Sequence, residues 1–493
     1  MRNESRKSPR AKGWIQLKGL ESPLVQIQAL LIVGILAGGG GSGSALANGL
    51  VQLAALGVLA LNVERLICFF STGPLVLKVL VLAALLLPLL QLVPLPPAIW
   101  HMLPGRDLVS QSFEVLGKPG TAFPLSVNSN RSFIAFLSLL PVLAILVAGH
   151  DLGFADLERL VWTVVGCGLT CLLLGAVQLA SGNQFGLLHP GNIERYDLYA
   201  TFANHNATAI FFDMVIAFLI ALPIGRRDWR TNAFVRGCLV VVFAVAVVLT
   251  RSRSGMLVLP PVLMIAGYRQ ARGRLAGWRR KSKPSGKPKF AIMASVAAAV
   301  CAIVVVVAVA GSARFQSSLE RFENLTQNER VQIWADARYS VARFWPVGSG
   351  IGTFDDVFQV DETLERVTTG RARRAHNDYI EAVLESGLLG GVLVLAWLAF
   401  VAVQTLRVIR MRGGGLCAAG GAALLGVAMQ SLVDYPLRCQ TILCVSGLAL
   451  LLLMRARPVV MERAELQGVL LKEVDTPRQS AIPQRVPSLR PIG

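Results

Sequence analysis

Long apolar runs alternate with short polar loops along most of the chain. About twelve of these runs approach the ~20 residues that an α-helix needs to cross about 30 Å of hydrocarbon. The pattern therefore predicts an all-α integral membrane protein with about twelve transmembrane helices and a large helical loop between the ninth and tenth. The predicted spans lie near residues 23–41, 45–63, 74–95, 132–149, 158–180, 207–225, 234–250, 255–268, 290–311, 380–404, 415–433 and 437–454.

Composition agrees with this interpretation. Hydrophobic residues make up 54% of the 493 residues and charged residues 16%, and the mean hydropathy is +0.57. A soluble domain has a lower apolar and a higher charged fraction. Three regions are predicted: a basic N-terminus (1–22), a polytopic membrane domain (23–454) and a polar, proline-bearing tail (455–493) that is expected to be disordered.

Basic residues orient the predicted bundle, because short cytoplasmic loops carry an excess of Lys and Arg. When twelve spans alternate, residues 1–22 and the basic loops near 226–230, 269–289, 407–412 and 455–457 all fall on one side. Both termini are therefore predicted to be cytoplasmic. Residues 97–131, 181–206 and 312–379 are predicted to be external.

The net charge of +19 does not indicate a nucleic-acid-binding protein. The external loop 312–379 is nearly neutral, with nine arginines and ten acidic residues. The excess of positive charge lies at the inner face, where it meets anionic lipid headgroups. The eight cysteines lie within or at the ends of apolar segments, so no disulfide framework is indicated.

The segment LTRSRSG (249–255) joins two short apolar runs, the second interrupted by Pro260 and Pro261. Short, proline-interrupted segments often mark a site inside a membrane protein. Arg251 and Arg253 are then expected below the membrane surface, where a forked guanidinium suits a phosphate or diphosphate. Alternatively, both arginines anchor the helices at the headgroups.

Two further external regions carry polar residues. Asn204, His205 and Asn206 stand at a helix start, where one asparagine is explained as an N-cap and the cluster suggests a polar pocket. In the loop 312–379, Phe315, Leu319, Phe322 and Leu325 recur at helical spacing, and Thr326 with Glu329 forms a capping box for a second helix ending at Pro346 and Gly348. The glycines of GSGIGTF (348–354) lack the strand and lysine of a nucleotide site.

The most informative segment is HNDYIEAVLESGLLGG (376–391), where ionisable residues open an apolar run. Such groups usually face a protein cavity or mark a functional site. Asp378, Glu381 and Glu385 share one helical face. One histidine with carboxylates is a weak zinc signal, so no metal is expected. His376 fits a general base, because histidine titrates near working pH; the alternative is a structural histidine.

Together these motifs resemble the O-antigen ligase and polymerase family of bacterial membrane glycosyltransferases. The likeness covers about residues 195–440. Two departures are His205 between the asparagines and Gln430 before the SLVDY segment. The matching residues are Asn204 and Asn206 in TFANHNATA, SRSG (252–255), Arg330, Trp334, Pro346, Gly348, Gly350, Gly352 and Phe354, HNDYIEAVLESGLLGG, and SLVDYPLR (431–438).

The resemblance implies transfer of a glycan from a polyprenyl (undecaprenyl) diphosphate carrier to a hydroxyl of a glycan or lipid-core acceptor, without a cofactor. Arg253 would hold the diphosphate, and His376 would accept the proton of the acceptor or position its hydroxyl. The alternative class is a transporter or flippase of a lipid-linked or anionic solute, which broken helices and recessed arginines would also serve. Further substrate contacts would come from Arg251, Asn204, Asn206, Arg195, Arg330, Arg338, Asp378 and Glu381.

Overall fold

The structure, a computed structural model, describes residues 21–189, 193–222, 229–278, 329–366, 371–411 and 414–455. In these ranges the chain is predominantly α-helical, and the only strands, β1 (Pro94–Leu95) and β2 (Phe123–Pro124), pair antiparallel. The α-helices are α1 (Pro23–Ala37), α2 (Ala45–Leu61), α3 (Val63–Thr72), α4 (Leu75–Leu90), α5 (Pro97–Trp100), α6 (Asp107–Val115), α7 (Ser129–Leu137), α8 (Leu140–Gly149), α9 (Phe154–Ala180), α10 (His205–Ala221), α11 (Trp229–Leu249), α12 (Arg253–Trp278), α13 (Glu329–Phe344), α14 (Phe354–Asp361), α15 (Asp378–Arg410), α16 (Gly415–Gln430) and α17 (Gln440–Met454). The 3-10 helices are Gly38–Gly43, here called the glycine turn, Leu364–Arg366 and Pro436–Arg438.

Several helices are long and apolar enough to cross a membrane. Among the described residues, Pro23–Gly41, Ser129–Gly149, Phe154–Ala180 and Asp378–Arg410 qualify, and α2 with α3 would form a fifth span with a bend of 79°. The predicted class, an all-α membrane protein, is thus supported. The number of twelve spans stays a prediction, because the other apolar helices have 10–17 residues. The predicted span 290–311 lies outside the described residues.

The core of the bundle is built around α10, which is buried at nearly every position and packs against α11, α12 and α16. Small residues allow close helix approach in membrane proteins. Gly420 of α16 is an example, because a Cβ there would stand 2.3 Å from the carbonyl oxygen of Ala449 in α17. The N-terminal ends of α10 and α15 and the turn between α16 and α17 meet at one end of this core.

Gly348 allows the segment 348–354 to lie directly on α15. Gly348 has a φ of +92°, and a Cβ there would stand 2.6 Å from the carbonyl oxygen of Glu385. Ser349 donates its backbone N–H to Leu384 O at 3.0 Å. At Gly387 (φ +59°) α15 itself breaks, where a Cβ would approach the carbonyl oxygen of Pro346 to 2.0 Å. These glycines therefore serve close backbone packing.

The described part of the loop 312–379 contains the second of its two predicted helices. α13 ends at Phe344, just before Pro346, as the sequence predicts. The indole N–H of Trp334 donates to Ala375 O at 2.7 Å, which fixes α13 over the start of α15. The predicted first helix (315–325) and Thr326 of the capping box lie outside the described residues.

Candidate active site

The candidate site forms where the segment 431–438, between α16 and α17, lies against the start of α15. Asp378 donates its backbone N–H to Ser431 O at 3.0 Å and to Asp434 O at 3.3 Å. Asn377 caps α15, because its side-chain oxygen accepts from the N–H groups of Tyr379 and Ile380. These backbone contacts bring together residues that are more than fifty positions apart in sequence.

His376 pairs with Asp434 at this junction. Its Nδ1 lies 3.2 Å from Asp434 Oδ1, and its ring meets Tyr435 edge-on with 5.0 Å between centroids. The His376 side chain is 31% exposed, whereas that of Asp434 is 2% exposed. The backbone of His376 is left-handed (φ +51°), a conformation that is uncommon outside glycine and often found at functional sites. The carboxylate orients the imidazole through Nδ1, which leaves Nε2 as the ring nitrogen that can bind a substrate.

Asp434 stays ionised because several groups compensate for its burial. Burial alone raises the pKa of a carboxyl, but the hydrogen bond with His376 and the charges of Arg330 and His376 lower the pKa of Asp434 below its ordinary value. Asn204 Nδ2 also donates to Asp434 Oδ2 at 3.3 Å. A lowered pKa means that this carboxylate stabilises the fold above its ordinary pKa and that the contribution is lost as pH falls through the lowered value.

Three carboxylates of α15 converge on one guanidinium, that of Arg438. Arg438 Nη2 lies 2.7 Å from Glu385 Oε2 and 3.1 Å from Glu381 Oε2, and its Nε lies 3.8 Å from Asp378 Oδ1. Arg374 Nη1 binds Glu381 Oε2 at 3.1 Å. Burial alone would lower the pKa of Arg438, but the three carboxylates outweigh it and raise that pKa. The three carboxylates lie on one face of α15, as the sequence predicts, and they form ion pairs within the protein.

Arg251 belongs to a second polar cluster. Its Nη1 lies 3.0 Å from Oδ1 of Asp197, a fully buried carboxylate, and Nδ1 of His205 lies 2.5 Å from Asp197 Oδ2. The His205 ring stacks on Tyr199 with 5.9 Å between centroids. Arg251 is thus held by an internal carboxylate, and its predicted contact with the substrate is not tested by this geometry.

Arg253 opens α12. Ser252 precedes it as a cap, since its hydroxyl oxygen accepts the N–H of Gly255 at 3.1 Å. α11 has 21 residues, and α12 continues through Pro260 and Pro261 for 26. Both helices are longer than the apolar runs that suggested a recessed site. The position of Arg253 below the membrane surface therefore stays a prediction.

The two predicted asparagines have separate roles. Asn204 caps α10 by accepting the N–H of Asn206 at 2.8 Å, and its amide nitrogen reaches Asp434. The carbonyl oxygen of Asn206 accepts a hydrogen bond of 2.8 Å from Gln430, one of the two positions that depart from the family pattern. Asn204 is thus beside the His376 pair, and Asn206 joins the start of α10 to the end of α16 through Gln430.

Of the three remaining predicted arginines, one lies at the site and two lie elsewhere. Arg330 donates to Val433 O and lowers the pKa of Asp434, so it stands beside the His376 pair. Arg195 lies over the ring of Tyr196 at 5.7 Å. Arg338 lies over Tyr339 at 4.7 Å and is exposed. The structure brings Arg330 to the site and gives Arg195 and Arg338 other contacts.

A polar cavity of about 500 Å³ adjoins the pair, with Asp434 and Tyr435 in its wall. Sequence reasoning missed Asp434 as the partner of His376, although both residues stand in motifs that carry the resemblance. Asn204, a predicted substrate contact, also lines the cavity. Five further polar residues of the wall were not predicted as site residues: Ser44, His189, Arg373, Arg374 and Arg438.

Apolar helical spans and a histidine–carboxylate pair beside a polar cavity define a helical membrane protein with an enzyme-like site. The family described as O-Antigen ligase matches residues 238–395. The resemblance to the O-antigen ligase family is therefore confirmed. The matched segment includes Arg253, Arg330 and His376, whereas Asn204 and Asp434 lie outside it. No curated protein gives a significant match to the chain.

Proposed function

We propose that this protein transfers a glycan from a polyprenyl diphosphate carrier to an acceptor hydroxyl at the periplasmic face of the bacterial inner membrane. The reaction is of the O-antigen ligase or polysaccharide polymerase type. The observation that carries the proposal is the His376–Asp434 pair, whose carboxylate lines a polar cavity at one end of the bundle. The segment that matches the O-antigen ligase family contains His376.

In this mechanism Nε2 of His376 accepts the proton of the acceptor hydroxyl as the hydroxyl oxygen attacks the anomeric carbon of the donor. The bond between that carbon and the diphosphate breaks, and the carrier diphosphate leaves with the electron pair. Asp434 holds the imidazole by Nδ1 and stabilises the imidazolium that forms. Because the diphosphate is the leaving group, no nucleotide is needed, and arginines rather than a metal ion stabilise its charge.

A reconstituted reaction tests the proposal. The protein in nanodiscs, given a carrier-linked glycan and an acceptor, should form a glycosidic product and release the carrier diphosphate. A flippase would move the carrier lipid without changing any covalent bond, so lipid movement with no new product would contradict the proposal. Deletion of the gene identifies the acceptor: single repeats on the acceptor indicate a lost polymerase, and long carrier-bound chains indicate a lost ligase.

If Arg253 binds the diphosphate, the rate of glycan transfer should depend on the forked shape of its guanidinium group. Arg253→Lys keeps the charge and loses the forked pair of donors, so transfer should fall roughly tenfold or more, as for other hydrogen bonds to charged groups. Initial rates of glycan transfer at equal protein amounts measure the effect. Arg159→Lys, at an exposed position of α9, is the matched control. Equal rates for both variants would exclude Arg253 from the mechanism.

The orientation of the bundle gives a separate prediction. In a cysteine-free background, a cysteine at Glu365, in the external loop, should react with an impermeant thiol reagent added to the periplasmic side. A cysteine at Arg410, at the end of α15, should react only after the membrane is opened. Both positions are exposed. The opposite labelling pattern would reverse the predicted topology.

A further inference from the structure

The turn between α11 and α12 has a left-handed residue at its centre. Arg251 has a φ of +56°, a conformation that suits glycine and costs free energy for a residue with a Cβ. Within the turn, Thr250 Oγ1 donates to Val247 O at 2.6 Å and accepts the N–H of Ser252 at 3.2 Å. A strained residue persists only where its surroundings hold it, so the contacts of the Arg251 side chain are the next evidence.

The contact that holds Arg251 is its ion pair with Asp197. Arg251 Nη1 lies 3.0 Å from Asp197 Oδ1, and the Arg251 side chain is only 11% exposed. The other carboxylate oxygen of Asp197 is engaged by Nδ1 of His205 at 2.5 Å. Both oxygens of this fully buried carboxylate therefore have partners within the protein, and little of the Arg251 guanidinium is left for a substrate.

Asp197 belongs to the segment 193–203, which precedes α10 and lies against the turn. The N–H of Leu198 donates to Leu249 O at 3.2 Å, which joins this segment to the last residue of α11. The carboxylate of Asp197 then joins the same segment to Arg251, two residues further along the chain. The segment 193–203 therefore holds the turn at two successive points.

Side chains from the end of α9 fix the segment 193–203 in turn. Gln178 Nε2 donates to Ala200 O at 2.8 Å, and Gln178 Oε1 accepts the N–H of Ala200 at 2.7 Å. Asn183 Nδ2 donates to the backbone oxygen of Asp197 at 2.9 Å. The carboxylate that pairs with Arg251 is thus attached to a backbone that has its own anchors, and it can serve as a fixed support.

Arg253 follows the turn at the first position of α12. The first turn of this helix lies directly on α10, because a Cβ at Gly255 would stand 2.4 Å from the Cβ of Ala209. Arg253 therefore lies between two fixed points, the ion pair of Arg251 before it and the contact of Gly255 with α10 after it. A change in the backbone of Arg251 is expected to displace Arg253 first.

We infer that Asp197 and Arg251 are positioning residues, whose ion pair holds the left-handed turn that places Arg253 against the substrate. Arg251 acts through Arg253 and does not touch the substrate itself. The inference rests on the proposed function, because it takes Arg253 as the residue that binds the carrier diphosphate. Asp197 lies outside the segment 238–395 that matches the O-antigen ligase family, so the support for Arg253 comes partly from a region that the family match does not cover.

Glycine at position 251 separates positioning from direct contact. Arg251→Gly removes the ion pair but adopts the left-handed conformation without strain, whereas Arg251→Ala removes the ion pair and keeps the strain. Both variants deprive Asp197 of the same partner, so the difference between them reports the backbone of the turn. Arg251→Gly should transfer glycan roughly tenfold or more faster than Arg251→Ala, because small displacements of a binding group have large effects on rate.

The Michaelis constants separate positioning from a loss of folded protein. Arg251→Ala should raise KM for the carrier-linked glycan and leave KM for the acceptor unchanged, since Arg253 is proposed to bind the carrier diphosphate. A smaller folded fraction would lower the apparent kcat and change neither KM. Asp197→Asn keeps the size of the side chain and removes its charge, so it should raise the same KM. In the Arg251→Gly background it should have little further effect, because the glycine does not need the carboxylate.

Arg159→Ala and Asp156→Asn are the matched controls, because they break an ion pair on the surface of α9. Both should leave both KM values unchanged. The inference is overturned if Arg251→Gly and Arg251→Ala behave alike, whether both lose transfer, as loss of a substrate contact would require, or both keep it. Where Arg251→Ala does not fold, the effect of Asp197→Asn with arginine and with glycine at position 251 decides the same question.

A measurement without turnover keeps the two proposals apart. In a cysteine-free background, a cysteine at the half-buried position of Arg253 reacts with an impermeant thiol reagent at a rate that depends on its placement. The rate should be similar with arginine or glycine at position 251 and different with alanine. If the labelling rates follow this order and the wild type forms no glycosidic product, the positioning stands and the transfer reaction does not. If transfer proceeds and the labelling rate ignores position 251, the reaction stands and the positioning does not.

Discussion

Replacement of His376 by alanine is expected to reduce glycan transfer by roughly 10²–10⁴-fold, the usual contribution of a positioned general base. The variant loses the nitrogen that accepts the hydroxyl proton, while the groups proposed to bind the diphosphate remain. Binding of the carrier lipid should therefore change little. Single-turnover rates with carrier-linked glycan and acceptor, together with a separate binding measurement, separate the two effects.

A substitution of the carboxylate distinguishes a base from a structural histidine. Asp434→Asn keeps the size of the side chain and removes the charge that would stabilise the imidazolium, so it should lower transfer. His101→Ala, at an exposed histidine, is the control. Turnover of His376→Ala within a few-fold of the wild type would leave His376 a structural residue.

Removal of Arg438 is expected to have the largest effect on stability. Arg438→Met leaves Asp378, Glu381 and Glu385 buried without their common partner, and breaking a buried ion pair in this way costs about 3–5 kcal/mol. Unfolding in detergent, followed by circular dichroism, measures the loss. The comparison is Arg159→Met, which removes a surface pair with Asp156 that contributes about 0–1 kcal/mol.

A second substitution tests whether the carboxylates cause this loss. Arg438→Met combined with Glu385→Gln removes one of the uncompensated charges, so the double variant should be more stable than Arg438→Met alone. Non-additivity is expected, because the residues are in direct contact. A decrease for Arg438→Met no larger than that for Arg159→Met would contradict the assignment of this cluster as a buried ion-pair network.

Local sequence patterns predicted the helices and the local contacts of the site. Helical spacing placed Asp378, Glu381 and Glu385 on one face, and the N-cap preference of asparagine explained one of the two asparagines, which the structure shows to be Asn204. Both predictions depend on neighbours within one or two turns. The structure shows the shared face and the cap where the sequence indicated them.

The partners of those residues could not be predicted, because they are distant in sequence. Asp434 is 58 residues from His376, and Arg438 is 53 residues from Glu385. Helical periodicity carries no information at such separations, and the pairing depends on how α15 packs against α16 and α17. Arg251 shows the same limit, since its motif suggested a ligand contact and its carboxylate partner, Asp197, is 54 positions away.

The packing role of the glycine segment 348–354 was also hidden from sequence reasoning. Its glycines resemble those of a phosphate-binding loop. The absence of a lysine argued only against a nucleotide-binding site and did not indicate what the glycines are for. The reason for Gly348 is the backbone of α15, which approaches it too closely for any side chain, whereas Gly350 and Gly352 lie against Ser126 and Arg131. A contact with a backbone carbonyl leaves no signature in the residue type of the partner, so only the structure reveals it.

The break at Gly387 divides α15 into two mechanical parts. The short part that follows His376 is hydrogen-bonded to the segment 348–354, through Ser349 N to Leu384 O and Gly350 N to Glu385 O, whereas the long part continues as a helix to Arg410. A change in the tilt of the long part is therefore expected to be taken up at Gly387. The short part should then keep its place against the segment 348–354, and the geometry of His376 should depend little on the tilt of the span.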